Sequence, residues 1–389
     1  MSALPDLVCS ECAAVYPVES LVWQCRCGGM LDVVDFVTGV PAADVPDRTP
    51  SLWRYAEALP LAVDPSITLG EGLSPLVPSS ALSHVQLKLD FLLPTLSFKD
   101  RGAVVLATLA RQLGVQRAMV DSSGNAGTAM AAYFARAGID CTVYVPESTS
   151  PGKLAQMRAH GATVILVPGT RADTSAAALR AAGQNGVLYA SHVYHPYFLH
   201  GVKTYGYELW EQRGYSLPET VVVPVGNGTL VLGCYLAFSE LVAAGLAERM
   251  PRIVAVQASA CSPLEQAMAQ GLEEPVIVDA GATVAEGIAI AAPPRGKQIL
   301  LAVRATGGTI VSVSDEQTAA ACHELAAEGL FVEPTSAVCY AGVRAAVDRA
   351  FDATSPTWAV AATLLAPPEL TAASIVVPLC GAGLKSPGQ

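Results

Sequence analysis

From about residue 85 onward the sequence alternates between two textures. Short apolar runs, "VQLKL", "RAMVDSS", "CTVYVP" and "TVILVP", are separated by alanine-rich stretches such as "RGAVVLATLARQLG" and "GTAMAAYFARAG". The alternation resumes at "TVVVPVGNGT", "PRIVAVQ", "GTIVSVS" and "SIVVPLCGAG". Short apolar strands bounded by Gly or Pro and followed by helices indicate βαβ units, and hence parallel sheets with both faces covered. The pattern predicts helices over 101–114 and 126–137. It also directs attention to the turns after each strand, because open α/β sheets bind ligands at the carboxyl ends of their strands. Residues 40–80 are proline-rich and irregular. They set off an N-terminal module, 1–40, from a larger region, 41–389, of two interleaved α/β subdomains, the smaller around 85–200.

Composition narrows the function classes. Hydrophobic residues make up 52% of the chain and charged ones 15%, enough for large cores and too apolar for bulk disorder. Much of the apolar excess is alanine, and there is no uninterrupted apolar run of about 18 residues. The start, "MSALPDLVCSECAAVYP", has neither the basic nor the apolar region of a signal peptide. The expectation is a soluble cytoplasmic protein without membrane partners. A net charge of −11 argues against nucleic acid and anionic lipid, while small anionic substrates remain accessible through a few local donors.

Four of the ten cysteines cluster early: Cys9 and Cys12 in a C-x-x-C, Cys25 and Cys27 in a C-x-C followed by two glycines. Thiolates from two tight turns can make a closed tetrahedral zinc site in a short ribbon, with a structural role. The other reading is a ribbon that has lost its metal and folds on apolar contacts. The remaining cysteines are scattered in apolar segments, which is not a secreted disulfide framework.

Three turns carry the candidate chemistry. In "DSSGNAGTAMAA", Ser122, Ser123, Gly124 and Asn125 lead into a helix whose first amides can hold a carboxylate or phosphate, or are simply capped. In "VVVPVGNGTLVLG", Gly226, Asn227, Gly228 and Thr229 can cradle a phosphate, or form an ordinary tight βα turn. Neither a Walker loop nor a dinucleotide fingerprint is present. In "SIVVPLCGAGLKS", Cys380 ends a strand, as a ligand neighbour or a buried structural thiol. Lys99 in "TLSFKDR" is the fourth candidate. A lysine packed beside Phe98 is pushed toward the neutral amine that attacks aldehydes, the chemistry by which lysine binds pyridoxal phosphate.

The segments "SFKDRG", "SSGNAG", "VGNGT" and "CGAGLK", in this order, resemble the pyridoxal-phosphate enzymes of the tryptophan-synthase-β fold type (fold type II), and within them the threonine synthases. The segments "GEGLSPL" and "HPYFLHGVKTYGYELW" fit the same family. The resemblance implies that Lys99 holds the cofactor and moves the substrate Cα proton. It gives the cofactor phosphate to Gly226, Asn227, Gly228 and Thr229, and the cofactor 3′-oxygen to Asn125. Ser122 and Ser123 would hold the substrate carboxylate, and Cys380 would face the pyridine nitrogen where the family usually has Ser or Thr. The family's motif is usually Asn-Pro-Thr-Gly-Ser-Phe-Lys, and Leu93 and Leu96 replace its Asn and Gly. Its substrate-phosphate region is commonly Asn-Pro-Tyr-Arg, here His195 to Phe198. Losing an arginine removes a bidentate phosphate donor, for which His195, Lys203 and Lys153 are replacements. His192 and His200 are as readily structural as catalytic.

The expected activity is therefore a lyase of the threonine-synthase type, a homodimer acting on a small amino acid such as O-phosphohomoserine. One alternative is a sibling that performs β-elimination or β-replacement on serine, threonine or an activated serine. Another, of a different class, is a catalytically inactive ligand-binding paralogue.

Overall fold

The computed structural model describes residues 4–34, 39, 42–149, 151–182, 186–366 and 374–385. The module boundary expected at 40/41 lies outside them. The chain divides into two compact units, Met1–Leu73 with Leu93–Thr204, and Ser74–Leu92 with Tyr205–Gln389.

The first unit holds two sheets. Three very short strands, in the order Val15–Tyr16, Leu7–Cys9, Leu31–Val33, pair antiparallel. The second sheet is all parallel, in the order Thr163–Val167, Asp140–Pro146, Arg117–Val120, Val187–Tyr189. The lysine helix, Lys99–Gln112, and the helix Asn125–Ala137 begin one or two residues before the sequence predicts. Asp100 explains the early start of the first, since its carboxylate accepts from Thr95 N at 2.7 Å and from Thr95 Oγ1, folding the preceding loop onto the helix. A short helix, Pro196–Val202, packs on the lysine helix. Two glycines permit the close approach. A Cβ on Gly102 would lie 2.6 Å from the Phe198 ring, and one on Gly201 would collide with the Arg101 carbonyl.

The second unit is built on six strands, in the order Thr309–Val313, Arg252–Ala258, Thr220–Pro224, Ile375–Pro378, Val85–Lys88, Leu76–Pro78. All neighbours run parallel except the last pair. The expectation of wholly parallel sheets is thus corrected at this edge. Only residues 79–84 connect Leu76–Pro78 to Val85–Lys88, too few for the crossover that a parallel pair needs. Thr220–Pro224 is buried along its whole length, which is why it reads as a continuous apolar run rather than an alternating one. Lys88 is fully buried and its Nζ donates to Glu208 at 2.8 Å and to the Ser74 carbonyl, so the segment 74–92 is fastened within this unit by a charge pair as well as by apolar contacts. Among the described residues no helix is long and apolar enough to cross a membrane.

Candidate active site

In the first unit, Lys99 opens its helix directly after Phe98, with Nζ 4.4 Å from the Phe98 ring centre and 5.7 Å from that of Phe198. The loop before it turns at Leu93–Leu96, where Leu96 N donates to the Leu93 carbonyl at 2.7 Å. Leu96 has φ +64°, the left-handed region in which a Cβ is strained. This explains a departure from the family pattern: the loop keeps the backbone that glycine suits, and leucine bears the strain. Asp100 and Arg101, both fully buried, are structural here, Asp100 through Thr95 and Arg101 through Thr204 Oγ1 at 3.4 Å.

The serine turn is braced from beneath. Asp121 accepts from Tyr189 OH at 2.8 Å and Ser175 Oγ at 2.7 Å. Ser122 Oγ accepts from Gly124 N at 3.4 Å, and a Cβ on Gly127 would collide with the Ser122 carbonyl, so the first turn of this helix admits only glycine at 127. Asn125 is the first helical residue, and no side chain caps the helix. Beside it, Tyr133 OH donates to Glu71 at 2.9 Å. Glu71, wholly buried in "GEGLSPL", also accepts from Trp53 Nε1, Thr68 Oγ1 and Leu69 N. Sequence reasoning missed this carboxylate because its donors come from three separate segments, though a Glu between two glycines in an irregular stretch was a usable hint.

His192 is buried, its ring centre 5.9 Å from that of Phe198, and its Nδ1 has no hydrogen-bond partner among the described residues. Burial, followed by the charges of Lys99 and Arg171, holds it well below the ordinary imidazole range, so it is neutral at pH 7. His195 precedes the helix Pro196–Val202 and Lys203 follows it, both buried. His200 is likewise held low, first by burial and then by the Lys203 charge.

In the second unit, the apolar strand Thr220–Pro224 runs into Gly226–Gly228 and then the helix Thr229–Ala243. Gly228 has φ +74°, and a Cβ there would collide with Ile299 Cδ1. A Cβ on Gly226 would lie 2.9 Å from Ile288 Cα, a backbone atom that cannot yield. Its N-cap is Gly228, which has no side chain to cap it, and a glycine turn at a helix N-terminus suits an anion. Cys380 is buried just past the strand Ile375–Pro378. The turn that follows is clasped by Ser336, whose Oγ accepts from Gly381 N at 2.8 Å. Glu333 is the N-cap of the helix Pro334–Val347 but makes no side-chain cap; its carboxylate instead occupies the space a Cβ on Gly381 would need.

The four early cysteines come together, their sulfurs all within 4.8 Å of one another. Each sulfur accepts a backbone N–H from the residue two positions on. Glu11 N to Cys9 and Gly29 N to Cys27 are both 3.4 Å, and Ala14 and Cys27 serve Cys12 and Cys25. The unusually short C-x-C thus suits the geometry, since Cys27 supplies an amide to Cys25 while its own sulfur accepts from Gly29. Tyr16 OH lies 3.1 Å from Cys25 Sγ, and its oxygen accepts from Arg26 N. That hydroxyl, then the Cys27 amide, lowers Cys25 to about 6. Four sulfurs without an open position can hold a metal and leave no place for a reactive water.

Each unit thus carries a largely or wholly parallel sheet and glycine- or serine-rich turns that lead into helices, an α/β architecture. Comparison with known proteins agrees. The family model described as pyridoxal-phosphate dependent enzyme matches residues 67–363, and the chain belongs to that family. It is 35% identical over 353 residues to a threonine synthase of Methanosarcina acetivorans, covering 88% of this chain and 87% of that one. It is 32% identical to a threonine synthase of Methanocaldococcus jannaschii, covering 86% of each. Among solved structures it shares its fold with a serine ammonia-lyase from Rhizomucor miehei, TM-score 0.66 at 22% identity, covering 79% of this chain and 93% of that one. It also shares its fold with the processed form of threonine deaminase isoform 2 from Solanum lycopersicum, TM-score 0.64 at 22% identity, covering 79% and 83%. The chain is a pyridoxal-phosphate-dependent lyase that resembles threonine synthase.

Proposed function

We propose that Lys99 is the covalent anchor of pyridoxal 5′-phosphate and the group that moves the substrate proton, in a reaction that converts O-phosphohomoserine to threonine. The observation that carries this is the Lys99 amine at the head of its helix beside Phe98 and Phe198. When bound, the cofactor supplies an electron sink for the pair left at Cα. The residues of the chain do the rest. The Lys99 amine takes the Cα proton, and the two rings keep water from it. Ser122 and Ser123 would hold the substrate carboxylate, Asn125 would hold the cofactor ring oxygen, and Cys380 would serve the ring nitrogen. Gly226, Asn227, Gly228 and Thr229 would hold the cofactor phosphate, which the side-chain-free turn at the helix N-terminus suits. His195 and Lys203 serve the leaving phosphate of the substrate.

A second reading, β-elimination or β-replacement on serine, threonine or an activated serine, is favoured by one feature. Phe198 stands where the family commonly has arginine, and its ring lies near Lys99. A substrate panel separates the two. O-phosphohomoserine, O-phosphoserine, serine and threonine would be followed for phosphate, oxo acid and new amino acid. Phosphate with threonine from the first substrate supports the leading reading; oxo acid from serine or threonine alone supports the second. A purified protein that cannot be loaded with cofactor would return it to an inactive ligand-binding paralogue.

We also read residues 1–40 as a zinc-ribbon-like module in which Cys9, Cys12, Cys25 and Cys27 hold a structural zinc ion, supported by the mutual approach of the sulfurs and their amide donors. We read the enzyme as a cytoplasmic homodimer, which light scattering and cell fractionation test.

A further inference from the structure

We propose that the four-cysteine ribbon is a metal-dependent brace for the lysine and serine turns of its unit. The inference rests on the zinc reading above and goes beyond it by giving the site a task. The ribbon's three strands have 3, 2 and 3 residues. A sheet this short does not sustain itself, and a structural metal is the usual remedy.

Two lines of contact run from the ribbon to the candidate chemistry. The first passes through the helix Pro196–Val202. Tyr197, wholly buried, donates its hydroxyl to the Pro5 carbonyl at 2.9 Å, two residues before the strand Leu7–Cys9. The same helix packs on the strand Leu31–Val33. Its next residue, Phe198, presses on Gly102 and lies 5.7 Å from Lys99 Nζ. Because Gly102 and Gly201 leave no slack between the two helices, a shift of one is felt by the other.

The second line passes through Trp23, which lies between the two cysteine pairs. Its ring meets Tyr189 at 5.3 Å and Tyr194 at 5.0 Å, both edge-on. Tyr189 OH holds Asp121 at 2.8 Å, and Asp121 is followed at once by Ser122 and Ser123. Metal at the four sulfurs fixes the loop that carries Trp23 and the strand that follows Pro5, so occupancy is transmitted to both turns.

The test is carried out on the holoenzyme. Zinc content is measured first, after growth with added zinc. Hydrogen–deuterium exchange is then compared for residues 99–104, 121–125 and 196–203 in zinc-loaded, chelator-stripped and zinc-restored protein. The expected result is stoichiometric zinc and exchange that rises about tenfold or more in all three segments on stripping and falls again on restoration. Tyr197→Phe should retain zinc, yet raise exchange in 196–203 without stripping, which guards against a cysteine variant that fails to fold. Absence of bound zinc overturns both the zinc reading and the brace. Stoichiometric zinc whose removal leaves the three segments unchanged overturns the brace alone.

Discussion

The lysine turn and the glycine turn are built on opposite principles. The turn at 93–99 is held by side chains: a buried aspartate gripping a threonine, an aromatic wall, and a leucine in a backbone conformation that suits glycine. The turn at 225–229 is defined by the side chains it lacks, since a Cβ at either glycine meets Ile288 or Ile299. Backbone amides recognise a phosphate whatever else the ligand carries, so on the proposed reading the glycine turn would mark the cofactor and little more. Side chains around a reacting lysine decide what else enters, so on the same reading substrate choice would lie in the turn that departs from the family.

The comparison can be broken first at Lys99. Lys99→Ala is expected to lower turnover by at least about 10³-fold, with loss of the visible absorbance of bound cofactor; retained turnover would remove the lysine turn from the chemistry. Next come the structural supports. Asp100→Ala leaves Thr95 N and Oγ1 without their buried acceptor and should cost about 2–4 kcal/mol in denaturant unfolding. Gly228→Ala should cost at least about 1–2 kcal/mol through the left-handed backbone, with the clash against Ile299 adding to it, and weaken cofactor retention more than Asp100→Ala does.

The histidines give a pH signature of the lysine side. His192 and His200 have folded values depressed by burial. The unfolded chain therefore binds more protons below the ordinary value of about 6.5, and stability present above that pH is lost as pH falls, by up to about 1.4 kcal/mol per pH unit per imidazole. Melting followed from pH 7.5 down to 5 should show this slope, and His192→Gln should flatten it. An equal slope in that variant would refute a buried neutral His192. The smallest effect sharpens the comparison most. Leu96→Gly relieves the backbone strain while losing a half-buried side chain, so its stability should stay within about 1 kcal/mol of the parent. A larger loss would mean that the leucine is held by packing rather than tolerated.

Much of the fold was legible because apolar strands and alanine-rich helices differ in period, and the turns between them carry glycine and serine. The cysteine cluster was legible from spacing alone. The antiparallel edge strand Leu76–Pro78 was hidden inside a proline-rich stretch. The four-donor role of Glu71 was hidden because its partners span residues 53 to 133, and no local pattern records a contact of that reach. Leu96 was recognised as a departure, but its left-handed backbone emerges only when the Leu93 carbonyl closes the turn.

The strand Ile375–Pro378 lies between Thr220–Pro224 and Val85–Lys88. On the ribosome, both flanking strands emerge long before the one that separates them. Until residues 375–378 arrive, each flanking strand presents an open hydrogen-bonding edge, the kind that recruits other chains. The first unit has all its strands once residue 204 has been made, while the second waits for a late strand to be threaded into its middle. Ribosome stalling before residue 374 should therefore yield chains with a protease-resistant first unit and an aggregation-prone remainder, and the period of greatest hazard in the life of this enzyme falls during its synthesis.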